Sequence, residues 1–514
     1  MELKFKDITV CNYNKKINTS CTSHADVIVP DTQPDIYRVL CVEAISDYDE
    51  CIIKKDKIIF SGNVKFNIMY TGETDKNRIY NIEYTAPFNH ETDVPAIPSD
   101  CNAISKCSVM STSYSVKNSR KLSASCVIGL EADMLKYSSV KALEEIEGSD
   151  SVPYVCDDVS FDSALVSQNH EFTVSESFII PDGGEGFNLH SLKLRMDISE
   201  IKTVNNKAIL KGSIPVKALY SCNLEPQTYE TEISFTEICD LDMANGDSKV
   251  FASFDISDVN YSVDSADSTT VEFDALIKGS IRAFDTSKYT LVSRLYSPDY
   301  SYTLTEVKAE EEKFVSLGHN QITVKDELSV EDLQHDISKI YYMSVYPSCS
   351  GVVSGNNCVK IQGNVQTNVI YSSTENELSS VVKNIPFECD FPADVSPENN
   401  YRFNVSVNTV NYGYILGSSR EIQTRSVIKL GLSMLKPHYL NIVSDFNCDL
   451  SSPIDKSTQP SITVCYPSSD EKLWDYAVKY NTTCEEIAQV NNISPTDTLI
   501  PGKPLLIPKR CIVK

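Results

Sequence analysis

Apolar and polar residues alternate along the stretch 63–70, the pattern of a β-strand that buries one face. The apolar positions of this stretch are Val64, Phe66, Ile68 and Tyr70. The stretch 364–371 keeps the same phase, with Val365, Val369 and Tyr371 at the corresponding positions. Long helical periodicity is scarce, and Val, Ile, Thr and Tyr are abundant, so most of the chain is predicted to form β-strands.

This strand pattern recurs three times along the chain. Each copy has a glycine inside the strand and a tyrosine eight residues later: Gly62 and Tyr70, Gly212 and Tyr220, and Gly363 and Tyr371. Further landmarks keep nearly the same register in every copy: Asp31, Asp182 and Asp332; Phe88, Phe235 and Phe387; Tyr114, Tyr261 and Tyr412. Agreement at so many positions predicts three repeated modules of one fold.

Turn-forming residues precede each glycine-containing strand. The pairs Lys55-Asp56 and Asn205-Asn206 and the triplet Gly355-Asn356-Asn357 include residues that tolerate left-handed backbone. Each glycine-containing strand is therefore predicted to be the second arm of a hairpin. A glycine within a strand indicates a β-bulge or a close backbone approach, and Pro215 in the second copy indicates a sheet edge. Each repeat is predicted to be a β-rich module of roughly 115 residues.

Acidic intervals separate the repeats. Residues 138–168 and 308–313 are rich in Asp and Glu, and we expect them to carry an extra strand and a connection. At most a turn or two of helix fits at Ala142–Ile146, because Gly148 follows closely. A contact surface for a partner is the alternative interpretation of these intervals. The turn-rich segment 451–460 is typical of a tether.

The predicted domain division follows from these patterns. It consists of a first module at 1–135, a linker with the second module at 136–285, a linker with the third module at 286–435, a tether at 436–460 and a small domain at 461–510.

The net charge of −25 narrows the function classes. Nucleic-acid phosphates require clustered Lys and Arg, so we expect no nucleic-acid partner. An anionic membrane surface is disfavoured for the same reason. Such acidity favours solubility, and a docking surface for a basic partner is the alternative.

The cysteines indicate a reducing compartment. Seventeen occur between Cys11 and Cys511, an odd number, and no C-x-x-C pair is present. That pattern is neither a disulfide framework nor a zinc ribbon, so we expect reduced, mostly buried thiols. The N-terminus has no apolar run and no stretch of eighteen apolar residues occurs. We therefore predict no signal peptide, no transmembrane segment and a cytoplasmic location.

The segment 461–508 has the order of elements of a small β-α-α-β unit. Ser461–Val464 alternates as a short strand, and apolar stripes at 473–478 and 487–490 predict two helices. Thr483, followed by Glu485 and Glu486, is a predicted N-cap. A Pro501-Gly502 turn precedes the returning strand. This segment resembles a LysM domain, which implies binding to repeating acetylated amino sugars or to a protein.

One departure from the LysM pattern bears on the ligand. The family usually has Gly-Asp-Thr just before the first helix, whereas this chain has Asp470-Glu471-Lys472. Since that loop commonly borders the sugar groove of the family, the departure disfavours glycan binding.

Three β modules followed by a LysM-like domain resemble the SPOCS-type (sporulation coat-associated) domain family. The predicted fold class is mainly β: three tandem β-rich modules followed by a small α+β (βααβ) domain. The resemblance implies a non-enzymatic spore coat morphogenetic scaffold in the mother-cell cytoplasm, at the forespore surface. It further implies that the LysM end tethers the coat-basement ATPase of stage IV sporulation, and other coat proteins are further candidate partners.

The chain offers little catalytic chemistry. Its seven histidines form neither an H-E-x-x-H motif nor a close ligand pair, and no G-x-S-x-G nucleophile elbow occurs. The glycine-rich segment 181–186 lacks a following Lys-Ser/Thr, so it is interpreted as a loop. We therefore predict no catalytic residue, no cofactor and no metal.

Four residues are the predicted partner-binding positions: Ile462, Trp474, Ile493 and Lys503. Trp474 is the single tryptophan, and tryptophan is enriched at binding hot spots, although core packing competes as an explanation. Two other classes stay open at this stage. One is a peptidoglycan- or glycan-binding LysM protein, and the other is a wall-remodelling enzyme that uses the LysM domain for targeting.

Overall fold

The computed structural model describes most of the chain. The described residues are 1–95, 97, 101–148, 152–181, 186–242, 244–264, 269–328, 336–397, 401–469 and 471–510. The landmarks Asp182 and Asp332, residues 182–185 of the glycine-rich segment, and Asp470 lie outside these ranges.

The first module pairs two three-stranded antiparallel sheets face to face. Its strands are β1 (Glu2–Ile28), β2 (Ile36–Lys54), β3 (Lys57–Gly72), β4 (Ile79–Asp93), β5 (Asn102–Asn118) and β6 (Lys121–Glu147). One sheet has the order β1-β6-β5 and the other β2-β3-β4. Val64, Phe66, Ile68 and Tyr70 are each fully buried in the core, as their alternation predicts.

The second module repeats this plan with one strand divided. Its strands are β7 (Tyr154–Ile179), β8 (Asn188–Leu194), β9 (Asp197–Val204), β10 (Lys207–Cys222), β11 (Glu225–Asp240), β12 (Lys249–Val263) and β13 (Thr270–Leu295). The sheets are β12-β13-β7 and β11-β10 with β8 and β9 both paired to β10. Arg195 and Met196 separate β8 from β9, opposite Pro215, whose carbonyl accepts the Arg195 N–H at 3.1 Å.

The third module and the C-terminal domain complete the chain. The third module has β14 (Tyr300–Leu328), β15 (Ile337–Ser354), β16 (Cys358–Ser373), β17 (Leu378–Pro392), β18 (Arg402–Ser418) and β19 (Glu421–Pro453), in sheets β14-β19-β18 and β15-β16-β17. The C-terminal domain has β20 (Ile462–Cys465), α1 (Leu473–Lys479), α2 (Cys484–Asn491) and β21 (Leu505–Pro508). The predicted fold class is confirmed: three β-rich modules followed by a small α+β domain.

The repeated glycine has a steric cause in all three modules. Gly363 lies directly opposite Phe387 in the sheet, and a β-bulge in β15 lies beside it. A Cβ on Gly363 would come within 2.3 Å of both the Ser348 carbonyl oxygen and the Phe387 ring. Gly62 and Gly212 meet the same two kinds of neighbour at 2.2–2.9 Å. The bulge and the close backbone approach that the glycine indicated are both present.

Contacts between the modules close a ring. Lys65 donates to the Val259 carbonyl at 2.8 Å and so joins module one to module two. Lys339 and Glu225 form an ion pair of 2.7 Å between modules three and two. Lys76 and Glu377 form another of 2.7 Å between modules one and three. Because each module contacts both others, the three repeats form one body around a common axis.

The long outer strands extend beyond the sandwiches as three two-stranded ribbons, which we call the stem. The stem consists of residues 2–12 with 136–147, 154–161 with 287–295, and 300–310 with 438–453. Its ribbons pack on each other through apolar side chains from all three modules: Ile8, Val10, Ala142, Phe161, Leu291, Ala309 and Ile442. The segment 142–146 is therefore strand and not helix, and β6 runs through the predicted boundary at residue 135.

A buried polar layer crosses the axis below the stem. Leu135, Phe284 and Leu435 occupy equivalent repeat positions and pack in one cluster. Two residues earlier in the chain, the equivalent positions hold Asp133, Arg282 and Ser433, all buried. The Arg282 guanidinium pairs with the Asp133 carboxylate, which links modules one and two. This ion pair distinguishes one module interface from the other two, a role for which buried polar groups are well suited.

Candidate partner-binding site

The C-terminal domain has its own small core. Its buried side chains come from both helices, the loop before β21 and β21 itself: Leu473, Tyr476, Ala477, Ile487, Ala488, Leu499, Leu505 and Ile507. Tyr296, which follows the last residue of β13 in the stem, belongs to the same cluster and is 1% exposed. The C-terminal domain is therefore packed on the tip of the stem.

Both helices begin with a local cap. The Asp475 carboxylate accepts the Lys472 backbone N–H at 2.9 Å at the start of α1. Thr483 accepts the Glu486 backbone N–H at 3.2 Å, and the Glu486 carboxylate accepts the Thr483 N–H at 3.3 Å. This capping box confirms Thr483 as the N-cap of α2. Asn492, in the left-handed conformation with φ of 54°, ends that helix.

In β20 the larger apolar side chains face solvent, and the smaller side chains of the alternation face the domain core. Cys465 packs against the domain core, and Thr463 lies on the same side of the strand. Ile462 and Val464 point outward and are 52% and 51% exposed. Tyr466, just after the strand, is 67% exposed. These apolar side chains therefore face away from the core of the domain.

The paired strand extends this surface. In the antiparallel register Ile462 lies opposite Pro508, and Val464 lies opposite Leu506. Residues directly opposite each other share a face of the sheet. We call the resulting surface the outer face; it consists of Ile462, Val464, Tyr466, Leu506 and Pro508.

Trp474 lies at the junction between α1 and the stem. Its ring meets the Tyr296 ring edge-on, with centroids 4.9 Å apart and an interplanar angle of 89°. The Arg294 guanidinium carbon lies 5.7 Å from the Trp474 ring centroid. Tyr296 donates its hydroxyl to the Thr482 carbonyl at 2.7 Å, and burial raises the pKa of Tyr296, so the hydroxyl remains a donor. Trp474 therefore packs within this junction and is half-buried.

Buried charges reinforce the junction. Asp299, between β13 and β14, accepts hydrogen bonds from Lys456 at 3.0 Å and from Arg510 at 3.0 and 3.1 Å. Arg510 also pairs with Glu486 of α2 at 3.3 Å. The side chains of Asp299 and Lys456 are only 8% and 7% exposed. A carboxylate shared by two cations satisfies charges that would otherwise be costly to bury.

The four predicted partner-binding residues fall into two groups. Trp474 and Ile493 lie at the edge of the domain core and are half-buried. Ile462 and Lys503 lie outside that core and are exposed. Sequence reasoning missed the stem side of the junction, because Tyr296 is 186 residues from Thr482, and Asp299 is 157 and 211 residues from Lys456 and Arg510. It also missed Val464 and Tyr466, although the alternation around Ile462 was the available signal.

The loop before α1 is fixed by a carboxylate. Glu471 accepts the Ser468 backbone N–H at 2.8 Å and the Tyr476 hydroxyl. The Ser468 N–H, followed by the Tyr476 hydroxyl, holds the pKa of Glu471 below its ordinary value. Glu471 therefore supplies an ionised acid at the position of the aspartate in the Gly-Asp-Thr pattern, and Lys472 stands at the position of the threonine.

One group of side chains elsewhere has metal-ligand character. The ligand atoms of His170, Glu237 and Cys239 lie within 4.8 Å of one another. His170 Nε2 is 3.1 Å from Glu237. Related contacts join the first and fourth strands of the other modules: Thr19 with His90 at 2.9 Å, and Asn320 with Cys389 at 3.3 Å. The recurrence identifies this group as a repeated link between the two sheets of a module.

Comparison with known families matches this architecture. The family model described as SipL, SPOCS domain matches residues 35–117 and 188–264, and the LysM domain model matches residues 469–508. The two SPOCS matches cover β2–β5 of module one and β8–β12 of module two. Module three has the same strand plan in the structure. No curated protein matches the chain.

These matches define a sporulation-related protein that combines SPOCS domains with a LysM domain. Within that class the chain is of the SipL type, as the repeats and the C-terminal motif predicted. SPOCS and LysM are non-catalytic domain families, and SipL denotes a coat-associated protein. No helix of the described residues is long and apolar enough to cross a membrane.

Proposed function

We propose that this protein is a non-enzymatic spore coat morphogenetic scaffold. Its LysM domain tethers the coat-basement ATPase of stage IV sporulation at the forespore surface, in the mother-cell cytoplasm. The observation that carries the proposal is the outer face of the LysM domain, an exposed apolar surface at the tip of the three-module body. Apolar surface of this kind is typical of protein contacts.

The junction with the stem supports this role. Tyr296 and Asp299 hold the LysM domain in one orientation. Partner binding therefore avoids the loss of conformational entropy that ordering a loosely attached domain would cost. Ile462 contributes to the outer face, whereas Trp474 and Ile493 support it from the domain core. Lys503, in the turn before β21, adds an exposed positive charge to the surface of the domain. All four residues remain proposed partner contacts, acting directly or through the fold of the domain.

Co-purification from sporulating cells tests the tethering role. The tagged full chain is compared with a chain that ends at residue 460, with the coat-basement ATPase detected by mass spectrometry. We expect the ATPase to be recovered with the full chain and lost with the shortened one. Equal recovery with both chains would place the binding surface on the SPOCS modules and reject the proposal.

Glycan binding is the second candidate, because the LysM family match favours it. Sedimentation of the purified full chain with isolated cell wall tests it directly. We expect the chain to stay in the supernatant, since Lys472 places a charged side chain where the family has the threonine of the loop that borders the sugar groove. Saturable pelleting that soluble acetylated amino-sugar oligomers compete away would favour the glycan role instead.

A further inference from the structure

A cavity of about 870 Å³ lies where the three modules meet. Its lining comes from the first module near Ser46 and Lys106, from the second near Lys193, and from the third near Tyr346. Its volume falls within the range of about 300–1,000 Å³ that is usual for small-molecule sites, and such sites prefer interfaces between domains. The three modules therefore border a cavity of their own, separate from the LysM domain.

The charge of this lining is opposite to that of the whole chain. The protein has 71 acidic and 46 basic residues. Among the described residues, two acids line the cavity, Glu131 and Asp255. Six basic residues line it: Lys16, Lys106, Lys193, Arg195, Lys278 and Arg402. An excess of cations within so acidic a protein concentrates positive potential in the cavity.

Three of these cations already have carboxylate partners. Lys16 is 3.4 Å from Glu131, Lys106 is 3.1 Å from Asp255, and Lys278 is 2.6 Å from Asp47. These pairs join neighbouring modules or strands and neutralise three of the six cations.

Lys193 on β8 and Arg195, just after that strand, have no carboxylate within 4.0 Å among the described residues. Lys193 Nζ lies 3.5 Å from the Val345 carbonyl and 3.3 Å from the centroid of the Tyr346 ring. Arg195 donates to the Thr409 carbonyl at 2.7 Å. Burial lowers the pKa of Lys193 to about 8, an effect that Glu43 only partly offsets. Two cations beside a cavity with no carboxylate at ion-pair distance form a site that an anion would stabilise.

The remaining lining indicates which anion would fit. Serine hydroxyls are numerous around the cavity, including Ser46, Ser105, Ser108, Ser253 and Ser280. Hydroxyl and ammonium groups both donate hydrogen bonds to the oxygens of phosphates and carboxylates. We propose that the cavity between the three SPOCS modules binds a small polyanion carrying several phosphate or carboxylate groups, held by Lys193 and Arg195.

Titration calorimetry on the full chain tests this site, with inorganic pyrophosphate and citrate as separate probes and sodium chloride at matched ionic strength as the blank. The expected result is saturable binding of at least one probe. Binding of pyrophosphate alone would identify a phosphate site, and binding of citrate alone a carboxylate site. If neither probe binds beyond the salt blank, the proposal is wrong.

Variants locate the binding. Lys193→Met keeps the aliphatic part of the side chain and removes its charge, so we expect the affinity to fall about tenfold or more. Lys202→Met is the matched control, because Lys202 lies on β9 of the same module, is 60% exposed and does not line the cavity. Arg195→Gln serves the same purpose if Lys193→Met does not fold. Unchanged affinity in the folded Lys193 or Arg195 variant would overturn the assignment.

Discussion

The Tyr296 hydroxyl donates to the Thr482 carbonyl at 2.7 Å, across the junction between the stem and the LysM domain. Tyr296 follows the last strand of module two, and Thr482 lies between the two LysM helices. The Tyr296 side chain thus enters the core of another domain and donates a hydrogen bond to one of its backbone carbonyls. The consequence is that the LysM domain and the SPOCS body share a core, and that the outer face is presented in a fixed direction.

The first prediction concerns this tyrosine. Tyr296→Ala removes the ring that meets Trp474 and leaves the Thr482 carbonyl without its donor. Since Trp474 is the only tryptophan, we expect its fluorescence to shift to the red and to become more accessible to acrylamide. Tyr84→Ala is the control, because Tyr84 is 41% exposed on module one. Unchanged Trp474 emission in the Tyr296 variant would contradict the shared core.

A second prediction concerns the buried carboxylate of the junction. Asp299→Asn leaves Lys456 and Arg510 without their shared partner, which is expected to destabilise the docked LysM domain by about 3–5 kcal/mol. Urea unfolding followed by Trp474 fluorescence measures this value. Asp197→Asn, which breaks an exposed pair 3.7 Å long with Lys429, should cost less than about 1 kcal/mol. Equal effects of the two substitutions would contradict the assigned role of Asp299.

The repeated glycine gives a third prediction. Gly363→Ala places a Cβ within 2.3 Å of the Ser348 carbonyl and the Phe387 ring, so the bulge must shift. We expect a loss of about 1–3 kcal/mol, as for other overpacked sites, and a lower thermal midpoint. Gly413→Ala, with no neighbour within 4 Å of the new Cβ, should change stability by less than about 0.5 kcal/mol. A thermal midpoint of the Gly363 variant equal to that of the wild type would show that the strand relaxes freely.

A fourth prediction concerns pH. Burial, followed by the charge of Arg78, lowers the pKa of His190 from 6.5 to about 4, while the ring bonds to Asn81 and Ser221, each at 2.8 Å. The unfolded chain then binds a proton at a higher pH than the folded chain, so stability falls as the pH drops from 6.5 towards 4. The full contribution of this histidine is on the order of 3 kcal/mol.

Urea unfolding at pH 7.5 and pH 5 measures the part of that contribution that is lost above pH 5, about 2 kcal/mol. The wild type should lose more stability between the two pH values than a His190→Gln variant, in which the titrating ring is absent. A variant with the same loss as the wild type would assign the pH dependence to other groups.

The repeats were predictable because their cause is local. Gly62, Gly212 and Gly363 are fixed by contacts with the strands on either side in the same sheet, and such contacts leave a fixed spacing in the chain. The hairpin turns were predictable for the same reason: Asn206 and Asn357 adopt positive φ. Local rules also identified the N-cap of α2, because Thr483 and Glu486 are three residues apart.

The stem and its junction could not be predicted in the same way. Ala142 and Leu143 read as helix formers, but pairing with β1 and packing against the other two ribbons override that preference. The charge pairs Asp133–Arg282 and Asp299–Arg510 join residues that are 149 and 211 positions apart. Nothing in the local pattern around either acid indicates its partner. The strands β6 and β19 continue through residues 135 and 435, where the sequence predicted module boundaries. The division into modules remains a prediction.

Ile462 illustrates the limit of periodicity for the site. Alternation in β20 identifies two faces but does not say which one is buried, and the structure turns Ile462 and Val464 outward. The inward side is completed by Cys465 and by the strand opposite, where Leu505 and Ile507 fill the core. A strand of four residues paired on one edge leaves this choice to tertiary packing.

The most direct test of the central claim is the dissociation constant between the purified full chain and the purified coat-basement ATPase. Val464→Asn changes the outer face without touching the core, so the account predicts affinity at least about tenfold weaker than for the wild type. Val353→Asn, on a strand of module three where the valine is 54% exposed, should bind like the wild type. Wild-type affinity for the Val464 variant, in a protein whose Trp474 emission is unchanged, would contradict the account.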